Sequence, residues 1–546
     1  MEERIRKAIG REVVIRRPPH LDFGDYSVFI GPEQAESAAQ AIRSELGESA
    51  AKVEVAGKGF VNITLSRAAV TLAIAEAYAK GEEWGKAKPS EAGSPDTSQN
   101  EVFRGRRVMV EYSNPNVFKE MHIGHLVGTV IGESAARLIE NTGATVARDT
   151  FGGDIGPNVA KALWGLQKSG VAEPASAREV GEAYAEGSSA YETDTQVREE
   201  IDALNQAIYA GTDKSLMELW RKGRDVSVAE FRRIWKLLGT RFDFEFFDSD
   251  TTETGLRVVR DGLEKGIFEM SDGAVIYNGE KKGVHTMVFI TSKNTPTYEA
   301  KDIGLAFLKE ERWPSSKVVV VTGNEQTGRF KTVLAALSEV APLLAAKTEV
   351  IATGFLKLSS GEKMSSREGN VIAATDFIQS VIEKVSEKNE DPLIAEQVAI
   401  GAIKYMILRQ APGSDIIFDE EKSLSLEGDS GPYLQYALVR ARSVLARASQ
   451  QARADASDAE VQENPYVLER IILHFPEITA RAARELAPNL LVNYLTELAG
   501  EWNSFYAQER IIGGAHEGHH LLVARAFVST MTNGLMLLGI PTPEKM

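Results

Sequence analysis

The sequence predicts an α/β core built on a doubly wound parallel sheet, with a small α+β unit before it and an all-α region after it. Three observations carry this. From Val108 to Glu140, a strand-like run (Val108-Met109-Val110-Glu111-Tyr112) passes through a proline-punctuated loop into apolar residues at helical spacing. Lys317-Val318-Val319-Val320-Val321 is a short continuous apolar run followed by Gly323, as in a strand covered on both faces. Beyond residue 413 the pattern is mostly helical, with few glycines in its periodic segments.

Taken in order, residues 1–82 read as the α+β unit. Ala35 to Leu46 has helix composition, and Lys52-Val53-Glu54-Val55-Ala56 and Phe60-Val61-Asn62-Ile63-Thr64-Leu65 alternate as strands around a turn at Gly57 and Gly59. Residues 83–106 are rich in Lys, Pro, Ser, Gly and Glu without apolar periodicity, and are expected to be a linker. Residues 107–412 carry the strand-then-helix alternation. A helix-prone insertion falls at about 160–250, with Glu179 to Tyr191 and Val197 to Ile208 as helices and no assignable motif. In 413–546 a long helix begins at Gly431-Pro432-Tyr433, Pro488-Asn489 interrupts the run, and Trp502, Phe505 and Tyr506 follow at helical spacing. Such a stripe is more often core than a nucleic-acid contact.

Composition narrows the function classes. At 546 residues the chain is too long for one core. No apolar run is long enough to cross a membrane, and the charged start Met1-Glu2-Glu3-Arg4 is not expected to act as a signal peptide. With no cysteine there is neither a disulfide nor a thiolate zinc site, so a cytoplasmic protein without structural zinc is expected. A net charge of −16 argues against broad nucleic-acid binding, but local basic patches (Arg4, Arg6, Lys7, Arg11, Arg16 and Arg17; Arg440, Arg442 and Arg447) could meet a shaped RNA. For any one patch a solvated helix face is the commoner explanation.

The chemistry concentrates after the first core strand. His122 and His125 stand where the strand hands over to a helix N-terminus, which has free N–H groups and partial positive charge and suits a phosphate. Gly124 between them lets a nucleotide approach the backbone. Alone, a His-x-x-His at a helix start is more often structural than catalytic. Downstream, however, lies Lys363-Met364-Ser365-Ser366-Arg367, and His-Ile-Gly-His with this second motif resembles the paired signatures of class I aminoacyl-tRNA synthetases. The flank Glu111-Tyr112-Ser113-Asn114-Pro115-Asn116, with Lys119 three residues before His122, is similar to the arginyl-tRNA synthetase family, along which nearly all of the chain can be laid. Leu21-Asp22-Phe23-Gly24-Asp25-Tyr26 and Gly59-Phe60-Val61-Asn62-Ile63 resemble that family's N-terminal appended domain, which touches the tRNA elbow.

The resemblance implies a Rossmann-type catalytic domain, an all-α anticodon-binding domain at 413–546, and activation of L-arginine by ATP with Mg²⁺ and tRNA present. It implies catalytic roles for His122, His125, Lys119 and Lys363, and ATP contacts from His122, Gly124, His125, Lys363, Met364 and Ser365. It places Glu111, Asn116, Tyr298, Asp302 and Gln326 around the arginine. On the residues themselves, Thr295-Pro296 reads as an N-cap and N1 pair, so Tyr298 and Asp302 share one helix face. A carboxylate beside a phenol suits a guanidinium, although a solvated Tyr and Asp is the bland alternative. Arg440 and Arg442 are expected to contact tRNA.

The chain departs from the family pattern at several places. Phe151 and Ile155 replace a histidine and a tryptophan, Asn158 replaces a glutamine, and Arg329 stands where histidine is common. Ser366 replaces the second signature lysine, a lapse many arginyl enzymes share and for which Lys119 is expected to compensate. Two rivals remain: a synthetase-like binding module without chemistry, and another class I synthetase or nucleotidyltransferase. The intact His122, Gly124, His125 and Lys363 argue against the first, and the absence of cysteine against a cysteinyl-type zinc pocket. A monomer is expected.

Overall fold

The computed structural model describes residues 1–87, 103–358, 372–448 and 461–546. The chain divides into two compact units, Met1–Val102 with Ser425–Met546, and Phe103–Leu424. The expected boundary at 413 therefore lies at 425. The physical reason is a strand, Ile416–Phe418, that pairs in parallel with Leu356–Leu358 inside the second unit.

The first unit opens with helix α1 (Glu2–Ile9) and an antiparallel sheet of β1 (Ile15–Arg16), β2 (Tyr26–Phe29), β3 (Ala50–Ala56) and β4 (Phe60–Leu65) in the order β1-β2-β4-β3. Helices α2 (Ala35–Leu46) and α3 (Arg67–Lys80) complete it. Alternation in β4 buries Val61, Ile63 and Leu65 and leaves Phe60 exposed. Gly59 has φ +107°, and a Cβ there would lie 2.4 Å from the Gly31 carbonyl carbon, so only glycine fits.

In the second unit, β5 (Arg107–Glu111) leads into α4 (Ile123–Asn141) and β6 (Thr145–Gly152). Helix α5 (Pro157–Lys168) is followed by α6 (Ala177–Thr193), α7 (Thr195–Ala210) and α8 (Lys214–Leu237). The first two helices of the insertion thus stand where the sequence predicts them, each with a side-chain cap: Ser176 accepts from the Glu179 amide at 3.2 Å and Asp194 from the Gln196 amide at 2.8 Å. Next come β7 (Phe244–Phe247), α9 (Asp248–Glu264) and a small antiparallel sheet of β8 (Glu269–Ser271), β9 (Ala274–Tyr277) and β10 (Met287–Ile290). Helix α10 (Tyr298–Arg312) precedes β11 (Lys317–Gly323), α11 (Thr327–Val340), α12 (Pro342–Ala346) and β12 (Thr348–Thr353). The unit ends with β13 (Leu356–Leu358), α13 (Ala374–Ser386), α14 (Pro392–Leu408), β14 (Ile416–Phe418) and α15 (Glu420–Ser423).

The main sheet of this unit has five parallel strands in the order β12-β11-β5-β6-β7. Val318 to Val321 of β11 are all buried, as a strand flanked on both sides must be. Strand order reverses between β5 and β11. Such a switch point opens a crevice at the carboxyl ends of the strands, where ligands bind in open α/β sheets. Helix α4 is anchored below it by buried Glu133, which accepts from Tyr112 Oη at 2.6 Å and pairs with Arg148 at 3.1 Å.

The first unit resumes with α16 (Gly431–Arg447), α17 (Val467–Ile472), α18 (Phe475–Arg484), α19 (Pro488–Gln508) and α20 (Glu517–Leu537). Trp502 is buried and stacks on Phe527 at 4.7 Å, so the aromatic stripe is core. The α+β part docks on these helices. Arg17 makes a two-pronged pair with Glu497 at 2.6 Å, Arg470 donates to Asp25 at 2.7 Å, and Arg67 pairs with buried Glu469. Residues 83–87, expected to start the linker, are part of this packing. Trp84 is buried, and the carbonyls of Trp84 and Gly85 accept from Asn533 at 2.9 Å and Thr479 at 3.1 Å. Linker residues 88–102 lie outside the described residues.

Candidate active site

The crevice at the switch point is a cavity of about 710 Å³. Glu111, Asn116, His122, Gly124, His125, Tyr298, Asp302 and Gln326, drawn from three separate stretches of chain, all line it. Lys363, Met364 and Ser365 lie outside the described residues. Lys119 does not line the cavity. Its Nζ sits 4.1 Å from the ring centroid of Tyr184 on α6.

The two histidines build the mouth of α4. The helix begins at Ile123, three residues earlier than the apolar pattern alone indicates, because His122 is its N-cap. His122 Nδ1 accepts from the Gly124 amide at 3.1 Å, and His125 Nδ1 accepts from the His122 amide at 3.2 Å. With each Nδ1 accepting, a neutral ring carries its proton on Nε2 and has one donor left to offer. Burial pushes His122 down to about 4, and Lys119 adds to the effect. Burial, His122 and Lys119 likewise hold His125 well below its ordinary value. The rings stack at 3.7 Å. A Cβ on Gly124 would lie 2.9 Å from His122 Cε1, so this glycine makes room for the imidazole.

The loop between β5 and α4 is strained where it lines the cavity. Ser113 and Asn114 take φ of 76° and 49°, conformations that non-glycine residues hold only when surroundings enforce them. Asn114 supplies the enforcement: Nδ2 donates to Glu111 Oε1 at 2.8 Å and Oδ1 accepts from the Phe151 amide at 2.9 Å. A Cβ on Gly153 would lie 2.4 Å from Asn116 Oδ1, so a larger residue there would push Asn116 from its present place. In the same stretch, buried Asp154 accepts from Ser249 N at 2.9 Å, Ser249 Oγ at 2.7 Å and Arg224 at 3.1 Å, which commits it to structure. Asn158, a departure from the family pattern, donates to Tyr298 Oη at 3.3 Å.

Tyr298 and Asp302 share the cavity face of α10, but the helix starts differently from the sequence expectation. Thr297, not Thr295, is the N-cap, because Pro296 bridges Ile290 and Thr297 N donates to the Phe289 carbonyl at 3.0 Å. Burial pushes Tyr298 up, with Asp248 adding. Burial also lifts Asp302 to about 6 against the pull of Arg329. Arg329, the position where histidine is common, ion-pairs through Nη1 with Asp302 Oδ2 and donates from Nε to Gln326 Oε1 at 2.9 Å. One guanidinium already spans two of the expected arginine ligands.

Sequence reasoning missed other cavity residues. Asp248, the first residue of α9, lines the cavity and pairs with Lys301 at 2.9 Å, both buried. Burial pushes Asp248 up to about 6 against Lys301. Its place beside an aromatic run carries no local signal, and only the loop closure across the sheet brings it in. In the helical part of the first unit, Arg440 lies 3.8 Å above the Tyr506 ring and Arg442 donates to Thr532 at 3.2 Å, so both expected tRNA-contacting arginines also have partners within the bundle.

Residues 94–420 match the family described as tRNA synthetases class I (R), catalytic domain, and residues 434–546 match the DALR anticodon binding domain. An arginine–tRNA ligase of Treponema denticola is 30% identical over 471 residues, covering 81% of this chain and 80% of the relative. One from Streptococcus mutans is 28% identical and covers 98% of this chain and 96% of the relative. Among solved structures, Thermus thermophilus arginyl-tRNA synthetase superposes with a TM-score of 0.77 at 24% identity, covering 100% of this chain and 99% of that one. The Plasmodium falciparum enzyme gives 0.79 at 19% identity, with 100% and 97% covered. These two likenesses speak to the fold. The catalytic-domain match spans more than half of the chain and agrees with the relatives, and the chain belongs to the arginyl-tRNA synthetase family of class I aminoacyl-tRNA synthetases.

Proposed function

We propose that the switch-point cavity is where this arginine–tRNA ligase activates L-arginine with ATP and passes the arginyl group to the 3′-terminal adenosine of its tRNA. One observation carries the assignment of substrate: Asp302 and Gln326 already receive a guanidinium, that of Arg329, beside the helix mouth formed by His122 and His125. In this reading the substrate guanidinium takes that place against Asp302 and Tyr298. Glu111 and Asn116 receive the α-ammonium. Gln326, its amide oxygen engaged, offers its NH₂ to the carboxylate.

The arginine carboxylate attacks the α-phosphorus of ATP in line with departing pyrophosphate. Little covalent work falls to the protein, and positioning with charge stabilisation supplies the rate. Neutral His122 and His125 donate from Nε2 to phosphoryl oxygens at the N-terminus of α4, where the helix dipole adds positive potential. Lys119, which already lowers both imidazoles, adds long-range positive charge from outside the cavity lining. The family motif assigns Lys363, with Met364 and Ser365, to the triphosphate. Mg²⁺ travels with the ATP phosphates as part of the nucleotide substrate. A pocket built for a guanidinium leaves buried polar groups unpaired when a smaller amino acid enters, so no editing step is needed. The α+β part meets the tRNA elbow and the helical part its anticodon, with Arg440 and Arg442 at phosphates. Among the described residues no helix is long and apolar enough to cross a membrane, and the enzyme works in this reading as a cytoplasmic monomer.

ATP–pyrophosphate exchange over all standard amino acids, with and without tRNA, tests this. Exchange with arginine alone among the amino acids, and only when tRNA is present, is expected. No exchange under either condition would return the chain to the binding-module reading.

A further inference from the structure

Beneath the amino-acid subsite lies a buried cluster that the reaction as described does not use. Glu111 ends β5 and pairs in register with Asp149 on β6, so their side chains emerge on the same face of the sheet. Lys309, in the last turn of α10, reaches between them. Its Nζ ion-pairs with Glu111 Oε2 and lies 2.7 Å from Asp149 Oδ2. Glu111 and Lys309 are each 4% exposed and Asp149 is 0% exposed. Apart from the Lys309 ion pair, neither Asp149 oxygen has a hydrogen-bond partner among the described residues. The surroundings are mostly apolar: Leu305, Val318, Val320, Val333 and Leu337 line a small void beside Glu111 and Lys309, with Asp302 and Lys347 at its edge.

The charge count does not close. Two carboxyls share one ammonium, and buried charge is costly unless matched. The charged groups around it are Asp302 and Glu299 on α10, Arg329 on α11, and Lys347, which lines the same void and is ion-paired with Glu310. The Asp302–Arg329 pair balances itself, so the cluster keeps its surplus negative charge. Only Glu111 of the three reaches the cavity, and its Oε1 is oriented there by Asn114. The missing positive charge has the sign and place of an α-ammonium.

We propose that Lys309 and Asp149 are positioning residues of the amino-acid subsite: Lys309 pins Glu111 at the cavity floor, and Asp149 holds a proton while the subsite is empty and releases it to solvent when the α-ammonium of arginine settles on Glu111. This rests on the reading that arginine occupies the cavity. Burial pushes Asp149 up to about 7, with Lys309 opposing and Glu111 adding, which puts the exchange near neutral pH. Lys309 is itself kept charged: burial works against its ammonium, and Asp149 and Glu111 outweigh it. By linkage, a cation that binds the deprotonated form more tightly binds better as pH rises through that range.

The test is the KM for arginine in tRNA-dependent pyrophosphate exchange, measured on the full enzyme from pH 6 to pH 8, with the KM for ATP as the internal reference. The wild-type arginine KM should fall about tenfold over that interval, the span of a proton lost near pH 7. Asp149→Asn mimics the protonated state and should lose the tenfold fall, with a KM at or above the value wild type shows at pH 6 and at most the roughly twofold change that Asp302, itself near 6, can give. Lys309→Met should raise the arginine KM more than tenfold with a smaller effect on ATP, and Lys309→Arg should recover part of the loss. An unaltered pH profile in Asp149→Asn overturns the inference, as does a wild-type KM without pH dependence. Glu111→Gln separates this from the parent reading. If it raises the arginine KM while Asp149→Asn behaves as wild type, only the positioning pair fails. If it leaves the arginine KM unchanged, the subsite assignment itself is wrong.

Discussion

Replacing Asp302 by asparagine is the sharpest probe of the amino-acid subsite. The change keeps the shape of a side chain that lines the cavity and is otherwise almost wholly buried. It converts one carboxylate oxygen, an acceptor, into an NH₂ that faces the N–H groups of a guanidinium. A hydrogen bond between charged groups is worth about 1.5–3 kcal/mol net, and a donor set against a donor adds desolvation cost. A loss of roughly 3 kcal/mol corresponds to about 100-fold in affinity. The arginine KM in tRNA-dependent pyrophosphate exchange should therefore rise about 100-fold, while the ATP KM moves by no more than about twofold because His122 and His125 are untouched. Arg329 sharpens the expectation, since its guanidinium loses the same partner and no longer competes for it. Equal losses for arginine and ATP, or a change of less than about threefold in arginine KM, would refute the assignment of Asp302 to the guanidinium.

Three further outcomes are expected. Arg329→His removes a tethered guanidinium that the substrate has to displace from Asp302, so the arginine KM should fall several-fold with kcat little changed; steady-state exchange kinetics measure this, and a raised KM would make Arg329 a support rather than a competitor. Lys119→Ala should slow activation by roughly 10²-fold in single-turnover assays, the loss typical of one preorganised charge donor; a near-normal rate would move that role to another cation. For stability, the Asp149 carboxyl has its folded value raised above the unfolded one, so its ionisation is a penalty that grows as pH rises from about 4 to about 7 and stays thereafter. Thermal melts of Asp149→Asn should accordingly show a gain in Tm over wild type at pH 8 and none near pH 4; the reverse order would contradict the raised value.

Much of the catalytic unit was legible in the chain because its signals are local. The strand–loop–helix at Val108 to Glu140, the apolar run of β11 and the first two helices of the insertion depend on residue type and spacing within a few positions. The same holds for His122, Gly124 and His125, whose spacing defines the helix mouth they close. Other expectations failed at range. The start of α10 shifted from Thr295 to Thr297 because β10 claims Pro296 and Thr297 in its own pairing. Residues 83–87 look like linker by composition, yet the single apolar ring of Trp84 docks them on helices far downstream.

What the sequence determined by itself was the class of chemistry and the elements that carry it, since periodicity, caps and paired motifs are written in neighbouring residues. What only the tertiary structure decided was which charges meet. Glu111, Asp149 and Lys309 are far apart in the chain, and nothing around any one of them marks it as a partner of the other two. The parallel register of β5 with β6 and the return of α10 across the sheet bring them together in a medium where each unmatched charge is felt. Arg329 and Asp302 meet for the same reason, on adjacent helices closed over one switch point.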